Sequence, residues 1–133
     1  MKYMLDTNIC IALLRRDPKA SLTFRYKRKE GACISAIILA ELEHGIHKSQ
    51  LSAKNRAALM NFLPTVDVLP FDQGAAYAYG EIVADLYRCG KPIGPMDMLI
   101  AAHAKAEGLT LVTNNTGEFS RVEGLALEDW TQG

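Results

Sequence analysis

Several acids in this chain stand where an acid is expensive. Asp6 directly follows the apolar Tyr3-Met4-Leu5, and Asp97 lies between Met96 and Met98 at the head of the most apolar helical stretch. Glu41 sits inside Ile37-Ile38-Leu39-Ala40-Glu41-Leu42, on the flank of a helical stripe and three residues after Ile38. An unpaired carboxylate costs on the order of several kcal/mol to bury, so each of these needs a cation or a set of hydrogen-bond donors. Oxygen-only ligands meeting at one edge suit Mg²⁺ or Mn²⁺ and not zinc. Plainer readings stand beside this one. Asp6 or Asp97 can cap a helix, Glu41 can be a surface residue, and Glu118, in a loop, can simply be solvated. Convergence in one crevice is what would favour the metal.

The elements that must position these acids can be read along the chain. A short strand, Lys2 to Leu5, ends at Asp6, and Asp6 or Thr7 caps a helix through Ile9, Ile11, Leu13 and Leu14. Asp17-Pro18 opens a second helix, which carries Leu22, Phe24 and Tyr26 among Arg25, Lys27, Arg28 and Lys29 and stops at Gly31. Ala32-Cys33-Ile34 is the next strand. Ser35 caps a helix with Ile38, Leu42 and Ile46 at helical spacing. A helix from Ser52 to about Leu63 precedes a strand from Val66 to Leu69. Asp72 caps a helix whose stripe is Ala75, Tyr79, Ile82, Val83 and Leu86, closed by Gly90. Lys91 to Pro95 reads as a loop, Met98 to about Glu107 as a central helix, and Leu109 to Thr113 as a strand buried on both faces. A last strand lies near Leu125 to Leu127. Alternating strands and helices predict an α/β sandwich on a parallel sheet, with more than one helix between some strands. In such sheets the carboxyl ends of the central strands form the ligand crevice, where Asp6 and the loop Asn114-Asn115 fall.

At 133 residues the chain has room for one domain, expected over residues 1–133. Apolar residues at 49% and charged residues at 23% exclude disordered and disulfide-scaffold compositions. The formal net charge is zero, but residues 1–60 carry +6 and residues 61–133 carry −6. Such asymmetry points to a nucleic-acid or protein partner. Cys10, Cys33 and Cys89 read as reduced core thiols, and no apolar run is long enough to span a bilayer, so a cytoplasmic protein is expected.

Other chemistries fail on spacing. Glu41-x-x-His44 matches a di-iron ligand pair, but a second such motif is missing. His44, His47 and His103 are expected at the surface or in packing, Ser35 and Cys33 lack a neighbouring base, and there is no Gly-rich phosphate loop. A phosphatase opening on Asp-x-Asp would need an acid where Asn8 stands. The basic run Arg25, Lys27, Arg28 and Lys29 is either a solvated face or a phosphate contact with Phe24 and Tyr26 packed inward. A metal-holding crevice beside a basic flank is a sensible layout for a nuclease.

Four blocks, in order along the chain, carry a resemblance. Tyr3-Met4-Leu5-Asp6-Thr7-Asn8 opens it, and Ser35 to Gly45 follows as Ser-x-x-x-x-x-Glu-Leu-x-x-Gly. Gly94-Pro95-Met96-Asp97 leads into Met98 to Ala104, and Leu111-Val112-Thr113-Asn114-Asn115-Thr116-Gly117-Glu118-Phe119 closes it. The chain resembles the PIN-domain ribonucleases, and within them the VapC toxins of bacterial toxin–antitoxin pairs. The Thr-Asn-Asn-x-x-Glu-Phe ending and Asp129-Trp130 are most similar to the enteric VapC group.

The resemblance implies a three-layer α/β/α sandwich on a five-stranded parallel sheet in order 3-2-1-4-5. Asp6, Glu41 and Asp97 match the family's metal-binding acids, and Asn8 and Thr113 match positions that orient them. Asn115 stands where many members have a fourth acid, which makes Glu118 the substitute, as in the enteric group. It also implies Mg²⁺- or Mn²⁺-dependent endoribonuclease activity, homodimerisation, a VapB-type antitoxin, and initiator tRNA cut in its anticodon loop. The rival expectation is a catalytically weak relative kept as an RNA-binding or antitoxin-complexed repressor component.

Overall fold

The computed structural model describes residues 1–132. Five short strands form one parallel sheet: β1 (Tyr3–Leu5), β2 (Ala32–Ser35), β3 (Asp67–Leu69), β4 (Thr110–Val112) and β5 (Leu127–Glu128), in the order β3-β2-β1-β4-β5. Tyr3 pairs in register with Ala32 on one side and Thr110 on the other, so β1 is the centre of the sheet. Tyr3, Met4 and Leu5 are all buried, as a strand covered on both faces requires. Between the strands run α1 (Thr7–Leu14), α2 (Pro18–Lys27), α3 (Ala36–Lys48), α4 (Ser52–Phe62), α5 (Gln73–Arg88), α6 (Pro95–Ala106) and α7 (Thr116–Phe119). Right-handed crossovers place α1 to α4 on one face and α5 and α6 on the other, a three-layer α/β/α sandwich in the expected strand order.

Local chemistry explains the boundaries. Ser35 Oγ accepts from Ile37 N and so caps α3, whose Ile38, Leu42 and Ile46 are buried at helical spacing. Asp72 Oδ1 does the same for α5 through Ala75 N. Gly90 ends that helix with φ +67°, the left-handed conformation that favours glycine. At the end of α1 the equivalent position is Arg16, with φ +60°, the one non-glycine with positive φ among the described residues. A side chain there costs roughly 1–2 kcal/mol against glycine.

Three expectations change. The helix expected from Met98 begins at Pro95, whose missing N–H suits the first helical turn, so Asp97 lies inside that turn and not before it. Phe24 packs against Phe62 and Trp130, but Tyr26 is 63% exposed, because residues two apart on a helix point to nearly opposite sides. Cys10 and Cys33 are buried, whereas Cys89 is an exposed residue at the end of α5 and not a core thiol.

Candidate active site

The loops after β1 and β4, the second turn of α3 and the first turn of α6 meet at the carboxyl edge of the sheet. Asp6, directly after β1, is 3% exposed and caps α1. Its Oδ1 accepts from Thr7 N at 2.8 Å. Its Oδ2 accepts from the Thr113 hydroxyl at 2.7 Å and from Asn8 Nδ2 at 3.1 Å. A carboxylate has about four acceptor positions, so three donors leave one for a ligand. Capping and ligation are therefore compatible at Asp6. Burial pushes its pKa above the ordinary carboxylate value, the three donors pull it down, and the charge of Glu41 pushes it up again.

Glu41, in the second turn of α3, is joined to the same loop. The Thr7 hydroxyl donates to Glu41 Oε1 at 2.6 Å, while Thr7 N holds Asp6. Thr7 thus spaces the two acids, a role that sequence reasoning missed. Its signal was a hydroxyl residue between Asp6 and Asn8. Glu118, in α7, accepts from Gly94 N at 3.0 Å and from Asn115 Nδ2 at 2.6 Å. These donors hold its pKa below the usual value, with Asn115 the stronger influence. Asn115 N in turn donates to Thr113 Oγ1 at 3.0 Å, and Asn114 N to Asn8 Oδ1 at 3.1 Å. Asn8, Thr113 and Asn115 thus form one lattice of donors behind the acids. The role of Gly94 was missed too, since a backbone N–H has no sequence signature.

Asp97 completes the group. Burial first, and then the charges of Asp6, Glu118 and Glu41, push its pKa up to about 6. No cation offsets that repulsion, and none of the ion pairs among the described residues involves any of these four acids. Among the described residues, no three carboxylates close into a ready-made metal cage. The donors are nonetheless all hard oxygens, and among the described residues the one cation that acts on them, Arg121 near Glu118, forms no ion pair. That combination fits a divalent ion that keeps part of its water shell.

The basic run does not flank these acids as one group. Gly31 O accepts from Lys2 N and Tyr3 N, so the residues just before it reach the edge of the sheet opposite Asp6. Lys27 Nζ is held by Glu128 at 2.6 Å, a partner 101 positions away. Lys29 is exposed. Arg25 and Arg28 line a cavity of about 340 Å³ together with Arg16. His103 is a packing residue: it is fully buried, with Nδ1 2.8 Å from Ser35 Oγ and its ring edge-on to Phe71. His44 and His47 are exposed.

Comparison with known proteins gives a consistent set of relatives. A PIN domain matches residues 3–125. The tRNA(fMet)-specific endonuclease VapC of Shigella flexneri is 48% identical over 132 residues, covering 98% of this chain and 99% of that protein. The VapBC2 structure from Rickettsia felis, bound to a DNA fragment from their promoter, is 39% identical with a TM-score of 0.93, covering 98% of this chain and 99% of that one. DNA-bound VapBC from Salmonella typhimurium is 42% identical with a TM-score of 0.92, covering 98% of both chains. Among the described residues no helix is long and apolar enough to cross a membrane.

Proposed function

The chain belongs to the PIN-domain family, and within it to the VapC ribonucleases, and from that premise we propose that its carboxylate crevice hydrolyses RNA as the toxin of a toxin–antitoxin pair. The observation that carries this reading is Asp97, raised to about 6 by burial and by three other carboxylates, with no cation acting on it. VapC nucleases of this family depend on a divalent metal, and the all-oxygen donor set supports Mg²⁺ or Mn²⁺ here. Asp6, Glu41, Asp97 and Glu118 would hold it. When bound, such an ion neutralises the cluster, promotes ionisation of water and stabilises charge on the leaving oxygen.

The chain's own groups prepare that site. Thr7 and Thr113 donate to carboxylate oxygens of Glu41 and Asp6 and hold them in place, while Asn8 fixes the plane of Asp6. Hydrolysis then forms a bond from water oxygen to phosphorus as the P–O3′ bond breaks, leaving a 5′-phosphate and a 3′-hydroxyl.

The name of the Shigella relative supports initiator tRNA as substrate, and the family resemblance adds the anticodon loop as the place of the cut. The solved VapBC assemblies support a VapB-type antitoxin as partner. A homodimer and a cytoplasmic location complete the reading, the latter in keeping with unpaired Cys10 and Cys33. Incubation with total tRNA and Mg²⁺, followed by mapping of the new ends, is the test. Cuts confined to one anticodon loop are expected. Intact tRNA at saturating Mg²⁺ would contradict the proposal.

A further inference from the structure

A second feature opens directly beside Glu41. A groove of about 1140 Å³ runs between α1, α3 and α4, and its wall includes Glu41 together with Arg15, Arg16, Lys48 and Lys54. Among the described residues none of these four cations makes an ion pair or a side-chain hydrogen bond, although Lys2, Lys27, Arg56 and Arg88 each have a carboxylate partner. Leu14, Arg16, Ala58 and Asn61 line both this groove and the cavity that holds Arg25 and Arg28. The two therefore share a wall. Six cations line the two cavities, and the acid in the lining, Glu41, belongs to the proposed site.

Arg16 gives an independent indication. It occupies the left-handed position after α1, where glycine carries no steric cost. A residue held in a disfavoured conformation at the junction of two cavities points to a task for its side chain. Positive charge left without an ion-pair partner along a groove is suited to a polyanion.

We infer that Arg15, Arg16, Lys48 and Lys54, continued by Arg25 and Arg28, form a track that carries the phosphate backbone of single-stranded RNA to the carboxylates. The inference rests on the nuclease reading and adds the path of the substrate. Phosphates seated on the track leave the next phosphodiester at Glu41, so the cations position RNA without taking part in the bond change. An acidic polypeptide is the competing occupant. The lack, among the described residues, of a carboxylate partner for any of the six cations favours the regularly charged chain of a nucleic acid.

Binding of a fluorescent oligouridylate of about 12 nucleotides to the full chain, in EDTA over a salt series, tests this directly. Removing one phosphate contact is expected to weaken binding about three- to tenfold at low salt and to flatten the log–log salt slope by roughly 0.7. Arg16→Gly should show that loss while its thermal midpoint stays equal or rises, since glycine suits the left-handed backbone. A double Lys48→Gln, Lys54→Gln variant should flatten the slope by about twice as much, roughly 1.4. Arg88→Gln, an exposed charge on α5, controls for net charge and should leave the slope within error. Unchanged affinity and slope in the groove variants would overturn the inference. So would variants that keep RNA affinity but lose binding to an acidic polypeptide. The measurement needs no cleavage, so an inactive wild-type chain would refute the nuclease reading alone, and a flat series with intact cleavage would refute the track alone.

Discussion

The Thr113 hydroxyl donates to Asp6 Oδ2 at 2.7 Å, linking the residues that directly follow β4 and β1, the paired central strands. The same hydroxyl oxygen accepts from Asn115 N at 3.0 Å, so one buried atom ties the Asp6 carboxylate to the loop that leads to Glu118. Burial raises the pKa of the almost wholly buried Asp6, and this hydroxyl is the strongest of the donors that pull it back down.

Thr113→Val keeps the shape of this residue and removes the bond. A buried carboxylate then loses one of its donors, and Asn115 N loses its acceptor. Stability should fall by about 1–2 kcal/mol. Cleavage should fall about 10- to 100-fold, as when a group that orients a metal ligand is lost. Urea denaturation and kcat/KM on one RNA substrate measure both, and an unchanged cleavage rate would mean that Thr113 serves packing only.

Asp97 links the site to pH. Its pKa in the folded chain, about 6, exceeds the ordinary value of 3.8, so its protonated form favours folding. That contribution is complete below about pH 4 and is lost as the pH rises through 6. In EDTA at pH 7, Asp97→Asn should therefore melt a few degrees above the wild type, and the gap should close by pH 4. His103, whose burial lowers its pKa, acts in the opposite direction and cancels in the difference between the two chains. The same substitution should abolish Mg²⁺-dependent cleavage. A melting difference independent of pH would mean that Asp97 is not under electrostatic pressure.

Much of this arrangement was legible because it obeys short-range rules. Asp6 and Asp97 stood out as acids set against apolar neighbours, and Ser35, Asp72 and Gly90 marked helix ends by their cap chemistry. The strand order came from the family resemblance, since periodicity alone does not say which strands pair. What was illegible depends on distant chain segments. Lys27 looked free until β5 brought Glu128 to it, and the groove cations of α1, α3 and α4 meet only in the assembled fold. Pro95 read as loop because Gly-Pro also opens turns, and here it opens α6.

Glu118→Gln tests the fourth acid. Gln retains an oxygen for Gly94 N, and the Asn115 amide can turn to accept from the new NH₂ group. The fold should survive, with the thermal midpoint within about 2 °C. The Mg²⁺ concentration for half-maximal cleavage should rise about tenfold. An unchanged metal dependence would reduce Glu118 to a brace for the loop at Gly94.

Ser35→Ala removes two contacts at once. The cap on Ile37 N is lost, and His103 Nδ1 is left without a partner inside the core. The combined cost should be about 2–3 kcal/mol. Chemical denaturation checks it, and a loss under about 0.5 kcal/mol would mean that α3 and α6 are held by apolar packing alone.

The most direct test of the central claim is cleavage of a synthetic tRNA anticodon stem-loop over a Mg²⁺ series by the wild-type chain and by Asp6→Asn, with folding verified by circular dichroism. The wild type should cut only with the metal present and leave 5′-phosphates, and the variant should be slower by about a hundredfold or more. Equal cutting by folded Asp6→Asn at the same positions, or wild-type cutting in EDTA, would contradict it.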